Sequence, residues 1–193
     1  TMNKILIITF GNFEYKSVIL NWLNFIKKLN ITNYLVISLD KKIHESLKAS
    51  KIKTELIEFE DNIKNFWEFR TKIIIDKLEK GYDVVHTDAD AYWIKDPTPT
   101  YLTKTDCDIL SSQGTIYPQQ ALNKLGFVAC CGFVYYKNTK NTKEFIYKMH
   151  KLTSLLKDDQ KAFNYLLSEL PITWDNSKPT YTLAHNGIKF NCY

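Results

Sequence analysis

Apolar residues in the first half of the chain occur in short continuous runs that alternate with stretches of helical spacing. The runs predict strands buried on both faces, as in the centre of a parallel sheet, at residues 4–10, 34–39, 53–59 and 82–86. The stretches between them repeat apolar residues every three or four positions and predict helices at residues 14–29, 41–49 and 65–80. Three successive strand–helix units indicate right-handed parallel crossovers, and therefore an α/β fold.

Residues that favour helix ends support these boundaries. Asp40 precedes the second helix, where its carboxylate can accept a hydrogen bond from a backbone N–H of the first turn. Gly81 follows the third helix, at the position where glycine commonly ends a helix. The first helix carries an apolar stripe of Trp22, Phe25 and Ile26, which we expect to lie in the core.

The second half of the chain follows a different pattern after the turn that Pro97 and Pro99 impose. It predicts strands at 107–111, 126–136 and 180–184, and helices from the cap Asn138 to 156 and from the cap Asp158 to 170. We therefore expect one domain over residues 1–193, with a mixed, mostly parallel central sheet flanked by helices. Its Rossmann-like, nucleotide-binding half would span about 1–95, and its acceptor-facing half about 96–193.

Two aspartates directly follow the fourth predicted strand. Asp88 and Asp90 are separated by Ala89, and in extended backbone residues i and i+2 point to the same side. Ligands of open α/β sheets bind at this edge. Two carboxylates there can hold a hard divalent cation, Mn²⁺ or Mg²⁺, that bridges to phosphate oxygens. Asp-x-Asp alone is a weak signal because it also occurs in helix caps, but its position at a strand end favours a metal-dependent diphosphate site.

Composition and charge narrow the class of protein. Hydrophobic residues make up 45% of the chain, which excludes the composition of a disordered segment. The net charge of +5 favours anionic ligands, but the lysines form no dense block, so we expect no nucleic-acid partner. No apolar stretch approaches the roughly 18 residues of a membrane span, so we expect no transmembrane segment.

The cysteines and the N-terminus bear on location. The four cysteines include no C-x-x-C pair, and the adjacent Cys130 and Cys131 could only form a strained disulfide, so we expect free thiols in a reducing compartment. The apolar run at residues 5–8 is too short for a signal peptide. We therefore expect a cytoplasmic protein. Thr1 precedes Met2, which leaves open a domain excised from a longer protein.

The stretch GYDVVHTDADAYWIKDP, residues 81–97, resembles the core motif of a family of nucleotide-diphospho-sugar transferases with the GT-A fold. That family includes plant cell-wall xylosyl- and arabinosyltransferases and relatives in large DNA viruses. Three further segments resemble family motifs in the expected order: FVACCGFVYYK (127–137), DQKAFN (159–164) and AHNGIK (184–189). The layout is also similar to glycogenin-like and bacterial galactosyltransferases, which are retaining enzymes.

The resemblance implies a metal-dependent glycosyltransferase. The donor would be a nucleotide-diphosphate sugar, specifically a UDP-sugar, the acceptor a glycan or glycoconjugate, and the configuration would be retained. Because relatives of the family occur in large DNA viruses, one origin that the resemblance implies is such a virus, with the enzyme active in the host cytoplasm. A catalytically inactive module that binds a sugar nucleotide or a glycan is the alternative that the sequence leaves open.

Roles for individual residues follow from the same resemblance. It implies metal ligands at Asp88, Asp90 and His185, a diphosphate contact at Lys189, a close substrate approach at Gly132, and donor-sugar and acceptor contacts at Asp159 and Gln160. Arg70 offers a bidentate fork near the donor, although a solvated helix face also explains it. The segment Thr9, Phe10, Gly11 and Asn12 would meet the base and ribose, although Gly11 can also simply close a turn. Cys130 and Cys131 replace the polar pair that usually precedes the family's glycine.

Two other enzyme classes fit the pattern less well. Phosphatases of the haloacid-dehalogenase type also use Asp-x-Asp with magnesium, but on their first strand and followed by Thr or Val. Here the pair follows a later strand and continues Ala91-Tyr92. A nucleotidyltransferase would need a loop rich in glycine and arginine after the first strand, which Gly11-Asn12-Phe13 does not supply.

Overall fold

The structure, a computed structural model, describes residues 4–103, 106–170, 181–185 and 188–192, with the side chains of 181–185 and 191 left out. The strands are β1 (Ile5–Gly11), β2 (Tyr34–Ser38), β3 (Thr54–Leu56), β4 (Asp83–Thr87), β5 (Ile109–Gln113), β6 (Ala129–Tyr136), β7 (Tyr181–His185) and β8 (Ile188–Cys192). The helices are α1 (Lys16–Lys28), α2 (Lys41–Ala49), α3 (Ile63–Glu79), α4 (Gln119–Leu125), α5 (Lys140–Leu156) and α6 (Asp159–Ser168). A 3₁₀ turn at Phe13–Tyr15 and a π-helical turn at Thr98–Leu102 complete these elements.

All eight strands belong to one sheet, in the order β3-β2-β1-β4-β6-β5-β8-β7. Four neighbouring pairs are parallel, β1–β2, β1–β4, β2–β3 and β5–β8, and three are antiparallel. The predicted mixed, mostly parallel sheet is therefore confirmed. Because β4 and β5 are both antiparallel to β6, they run in the same direction. The carboxyl ends of β1, β4 and β5 consequently meet at one edge of the sheet.

Helices cover both faces of the sheet and bury two apolar clusters. One cluster contains residues of α3, α5 and α6, and the other contains residues of α1 and α2. Strand β1 contributes to both, since Ile7 faces one cluster and Ile8 the other. Trp22 and Ile26 are buried, as predicted. Phe25 is only half-buried, and its ring stacks on that of Tyr92 at a centroid distance of 5.2 Å.

Two of the three predicted N-terminal helix caps are confirmed. The carboxylates of Asp40 and Asp158 cap α2 and α6 by accepting backbone N–H groups three residues along, each at 2.8 Å. The cap of α5 is Thr139 rather than the predicted Asn138. Asn138 instead donates its amide to the carbonyl of Leu78 at 2.6 Å, and thereby ties the start of α5 to the end of α3.

Two elements, α4 and β8, are absent from the sequence prediction. α4 is short and buries only Ala121 and Leu125, so its apolar pattern is weak. β8 pairs in parallel with β5, which places the C-terminal strands next to the second half of the sheet. Among the described helices, none combines the length and apolar character that a bilayer crossing requires. None of the four cysteines forms a disulfide. The cytoplasmic location stays a prediction.

Strand β6 is irregular where it passes the end of β4. Its register with β5 moves from Ser111↔Val134 to Ser112↔Cys130, so residues 131–133 have no partner in β5. Such bulges re-aim side chains and are common beside functional sites. Gly132 lies in this bulge, and its carbonyl accepts the backbone N–H of Asp88 at 2.8 Å. The bulge therefore brings the backbone of β6 against the first predicted aspartate.

Candidate active site

Asp88 and Asp90 lie in a β-turn at the carboxyl end of β4. The Ala91 N–H donates to the Asp88 carbonyl at 3.1 Å, which is the bond that closes such a turn. The extended-backbone argument for this pair is therefore wrong, since the chain leaves the strand at Thr87. Ala89 is buried at 3% exposure and anchors the turn in the core. Both carboxylates nevertheless reach the same cavity.

A cavity of about 460 Å³ opens at this edge, a size within the usual range for small-ligand pockets. Its walls come from the carboxyl end of β1, the start of α3 and the turn after β4. The predicted site residues that line it are Phe10, Gly11, Asn12, Arg70, Asp88, Ala89 and Asp90. Residues that the sequence did not single out for this site also line it, among them Phe59, Phe66, Trp67 and His86.

Three predicted donor contacts do not line this cavity, namely Thr9, Gly132 and Lys189. Thr9 is fully buried within β1 and does not line the cavity. Lys189 donates its Nζ to Asp106 at 2.9 Å. The next residue, Phe190, pairs with Ile109 at the start of β5. The starts of β5 and β4 lie at the same edge of the sheet. Lys189 therefore lies at the sheet edge opposite the one that carries Asp88. The predicted third metal ligand, His185, lies outside the residues whose side chains are described.

Arg70 joins the turn after β4 to the start of α6. Its Nη1 contacts Asp88 Oδ1 at 3.0 Å, and its Nε and Nη2 contact Asp159 Oδ2 at 2.8 Å and 2.5 Å. The guanidinium carbon lies 4.6 Å from the ring centroid of Trp67, close enough for a cation–π contact. Arg70 and Asp159 are 5% and 4% exposed. The solvated helix face considered for Arg70 is therefore excluded.

The charges of this cluster are unequal. Burial disfavours the charge of Arg70, but the carboxylates of Asp159 and Asp88 outweigh it and raise the pKa of Arg70. Burial raises the pKa of Asp88 above its usual value, Arg70 opposes this, and Asp90 adds to it. The cluster therefore holds three carboxyl groups, those of Asp88, Asp90 and Asp159, and one guanidinium.

The two exposed carboxylates fit a divalent cation. Within the described residues, no hydrogen bond reaches Asp88 Oδ2 or either carboxylate oxygen of Asp90. Asp90 and then Asp88 raise the pKa of Tyr15, which shows that both carboxylates lie near the same phenol. No set of three or more His, Cys, Asp or Glu ligands is assembled in the described part of the chain. Two carboxylates suit a hard cation that takes its other ligands from phosphates and water.

His86 lies behind Asp88 and is 2% exposed. Its Nε2 is 3.6 Å from Asp88 Oδ1. Burial, and then the charge of Arg70, lowers the pKa of His86 well below its usual value, so the imidazole is neutral. Its place could have been predicted, because His86 lies one residue before the end of β4, at the sheet edge where ligands bind. Trp67 could likewise have been found three residues before Arg70 on one helix face.

Both polar atoms of the Gln160 side-chain amide form hydrogen bonds with backbone groups. Its Oε1 accepts the N–H of Cys131 at 3.2 Å, and its Nε2 donates to the carbonyl of Tyr117 at 3.0 Å. Gln160 therefore ties the bulge of β6 to the loop that follows β5. It adjoins Asp159, but neither residue lines the cavity itself.

Comparison with known proteins agrees with this geometry. A family model described as nucleotide-diphospho-sugar transferase matches residues 29–175. The chain is similar to arabinosyltransferase XEG113 of Arabidopsis thaliana, with 25% identity over 86% of this chain and 28% of the relative. It is also similar to the beta-arabinofuranosyltransferase RAY1 of the same plant, with 21% identity over 86% of this chain and 34% of the relative. The chain thus spans about a third of the length of these relatives.

Solved structures share the fold at low identity. The galactosyltransferase LgtC, in complex with donor and acceptor sugar analogues, superposes with a TM-score of 0.57 and 16% identity, over 83% of this chain and 69% of LgtC. The bifunctional glycosyltransferase WbbM gives 0.56 and 13%, over 84% of this chain and 37% of WbbM. A CMP-2-keto-3-deoxy-manno-octonic acid synthetase with CTP gives 0.54 and 9%, over 98% and 89%, so the fold alone does not separate sugar transfer from nucleotide transfer. A family model that covers most of the chain goes beyond this likeness of fold: the chain belongs to the nucleotide-diphospho-sugar transferase family.

Proposed function

We propose that this chain transfers a sugar from a UDP-sugar to a hydroxyl of a glycan or glycoconjugate, with Mn²⁺ or Mg²⁺ held by Asp88 and Asp90. One observation carries the proposal: the two carboxylates share a cavity with the carboxyl end of β1 and with Arg70. Carboxylates repel a diphosphate unless a cation lies between them, and Asp90 is not paired with any described cationic side chain. The arrangement therefore supports a donor bound through a cation.

Each wall of the cavity has a task in this proposal. When bound, the cation would neutralise the charge that develops on the departing diphosphate. Phe10, Gly11 and Asn12, at the carboxyl end of β1, would contact the base and ribose, as ligands of α/β sheets do at this edge. Arg70 would hold the Asp88 carboxylate in place, because its own position is fixed by Asp159.

The predicted roles of Asp159 and Gln160 change in this arrangement. Both oxygen and nitrogen of the Gln160 amide are bound to backbone, and Asp159 is bound to Arg70. We propose that both are positioning residues rather than groups that touch the reacting atoms. Lys189 has no place in the proposed donor site, because it lies at the opposite edge of the sheet.

We propose retention of configuration for the transfer. The bond from the anomeric carbon to the diphosphate breaks, and its electron pair leaves with the diphosphate oxygen. The acceptor hydroxyl oxygen bonds to the same face of that carbon, and its proton passes to the departing diphosphate. Three carboxylates line the cavity: Asp88 and Asp90 are assigned to the cation, and Asp61 accepts hydrogen bonds from Asn62 and Asn65, so no residue is assigned as nucleophile. Proton NMR of the first product tests this, and an inverted anomer would overturn the proposed retention.

The experiment that tests the proposed function measures UDP binding by calorimetry, first with Mn²⁺ and then with EDTA. Binding is expected only with the cation. A panel of UDP-sugars is then incubated with the protein, and Mn²⁺-dependent release of UDP is expected for at least one donor. Binding of UDP without release from any donor would instead identify a binding module. Absence of Mn²⁺-dependent binding would contradict the proposed site.

A methyl group at Gly132 is expected to disturb this site. A Cβ there would lie 3.1 Å from Asp88 Oδ2 and 3.4 Å from Cys130 Sγ, and Asp88 cannot move freely because Arg70 holds its other oxygen. We expect Gly132→Ala to weaken Mn²⁺-dependent UDP binding about tenfold, or about 1.4 kcal/mol. Calorimetry measures the effect. The control is Gly114→Ala, at the residue directly after β5. Equal UDP affinity in wild type and Gly132→Ala would show that the donor does not depend on the position of Asp88 Oδ2.

A further inference from the structure

The loop at residues 114–118 lies at the same sheet edge as the candidate site. It follows β5, whose carboxyl end points in the direction of the carboxyl end of β4. The loop begins at Gly114, whose N–H donates to the carbonyl of Val128 at 2.7 Å. It ends at the start of α4, which packs on α6. Both ends of the loop are therefore held by the fold.

Tyr117 is fixed in this loop with its ring half in solvent. Its hydroxyl donates to Asp158 Oδ2 at 2.6 Å, and its carbonyl accepts Gln160 Nε2 at 3.0 Å. The hydrogen bond to Asp158, followed by burial, raises the pKa of Tyr117 to about 12, so the phenol stays neutral at physiological pH. The residue is 49% exposed, and the neighbouring Ile116 is 64% exposed. A large apolar ring is thus presented to solvent in one orientation.

A short chain of contacts links this ring to the carboxylate turn. Tyr117 is bound by the two residues on either side of Asp159, namely Asp158 and Gln160. Asp159 binds Arg70, and Arg70 binds Asp88. The ring and the carboxylate turn are therefore both attached to the start of α6, through consecutive residues.

We propose that Tyr117 is the platform on which the acceptor saccharide lies, an inference that rests on the proposed function. A sugar ring has an apolar C–H face and a rim of hydroxyls. The Tyr117 ring offers an apolar face, and the carboxylate of Asp158 lies at its edge as a hydrogen-bond acceptor. Because the ring is already immobilised, binding costs little side-chain entropy.

The small size of the exposed apolar surface at this loop favours a saccharide over a protein as the molecule that binds there. Stable protein partners bury roughly 800 Å² on each side. The exposed apolar residues of this loop are only Ile116 and Tyr117, about the extent of one or two sugar rings. Exposed polar residues, Thr115 and Gln119, flank this segment along the chain, and Asp158 contacts the Tyr117 hydroxyl, so groups that can bind sugar hydroxyls are present.

The test uses saturation-transfer NMR with methyl glycosides of glucose, galactose, xylose and arabinose, in the presence of UDP and Mn²⁺. Wild type is expected to bind at least one of these probes. Tyr117→Leu is expected to weaken that binding about tenfold, whereas Tyr117→Phe, which keeps the ring, stays within about twofold. The matched control is Tyr147→Leu, since Tyr147 is an exposed tyrosine on α5 whose hydroxyl donates to Glu79.

The outcomes separate this inference from the proposed function. UDP binding, measured by calorimetry on the same samples, is expected to be equal in all four proteins. Intact UDP binding with no glycoside bound, or equal glycoside affinity in wild type and Tyr117→Leu, would overturn the platform. Glycoside binding that depends on the Tyr117 ring, without any binding of UDP, would keep the platform and refute the donor site. Both Tyr117 variants are compared at a temperature where each is folded, so that a difference in thermal stability does not affect the measured glycoside affinity.

Discussion

Asp90→Ala is expected to abolish Mn²⁺-dependent binding of UDP while leaving the fold intact. The Asp90 carboxylate is exposed and has no hydrogen-bond partner among the described residues, so its removal leaves no group unpaired. We expect the stability to change by less than about 0.5 kcal/mol. The loss of one of two anionic ligands should weaken binding by about 100-fold or more, which corresponds to about 2.7 kcal/mol. Calorimetry with UDP and Mn²⁺ measures this loss.

The matched control for this change is Asp106→Ala. It removes the same charge from an exposed aspartate, but at the opposite edge of the sheet, where Asp106 pairs with Lys189. UDP binding should be unaffected, and Lys189→Ala should leave it unaffected as well. Unchanged affinity in Asp90→Ala would remove the basis of the proposed metal site. A loss of affinity in Lys189→Ala would instead restore the diphosphate contact that the sequence resemblance implied.

Arg70→Ala is expected to have the largest effect on stability. Asp159 is buried, and Arg70 is its only ion-pair partner in the described residues, so the substitution leaves a buried carboxylate without a counter-charge. Breaking a buried pair in this way typically costs about 3–5 kcal/mol. The contact with the Trp67 ring is lost at the same time. Urea denaturation, monitored by tryptophan fluorescence, gives the change in the free energy of unfolding.

Two further variants make this result interpretable. Lys72→Ala removes an exposed cation from the same helix and should change stability by less than about 0.5 kcal/mol. The double variant Arg70→Ala/Asp159→Asn should recover part of the loss, because the unpaired charge is gone. A loss below about 1 kcal/mol in Arg70→Ala, or no recovery in the double variant, would mean that this ion pair does not hold α3 to α6.

Local patterns in the sequence were sufficient for much of the fold. The apolar runs place β1, β2 and β4 within a residue or two, because a strand buried on both faces needs a continuous run. Asp40 and Asp158 could be identified as caps, since the capping hydrogen bond itself lies within the first turn of the helix. α4 and β8 were not predicted, because their burial comes from distant parts of the chain.

The contents of the candidate site were harder to predict. The position of Asp88 and Asp90 followed from the end of β4, but the turn that brings them to one cavity did not. Arg70 and Asp159 are 89 residues apart, and no local rule relates them. The resemblance identified Asp159 and Gln160 as important without showing that their polar atoms are bound within the protein. Only the three-dimensional contacts separate positioning residues from those that can meet a ligand.

The strand order has a consequence for any attempt to divide the chain near residue 95. Strand β4 belongs to the first half, yet one of its two hydrogen-bonding edges is covered by β6 from the second half. All five residues of β4 are buried. A fragment that ended after this strand would offer an unpaired apolar edge to other copies of itself, and exposed edges of this kind lead to self-association. The residues before and after position 95 therefore form one folding unit and need to be expressed together.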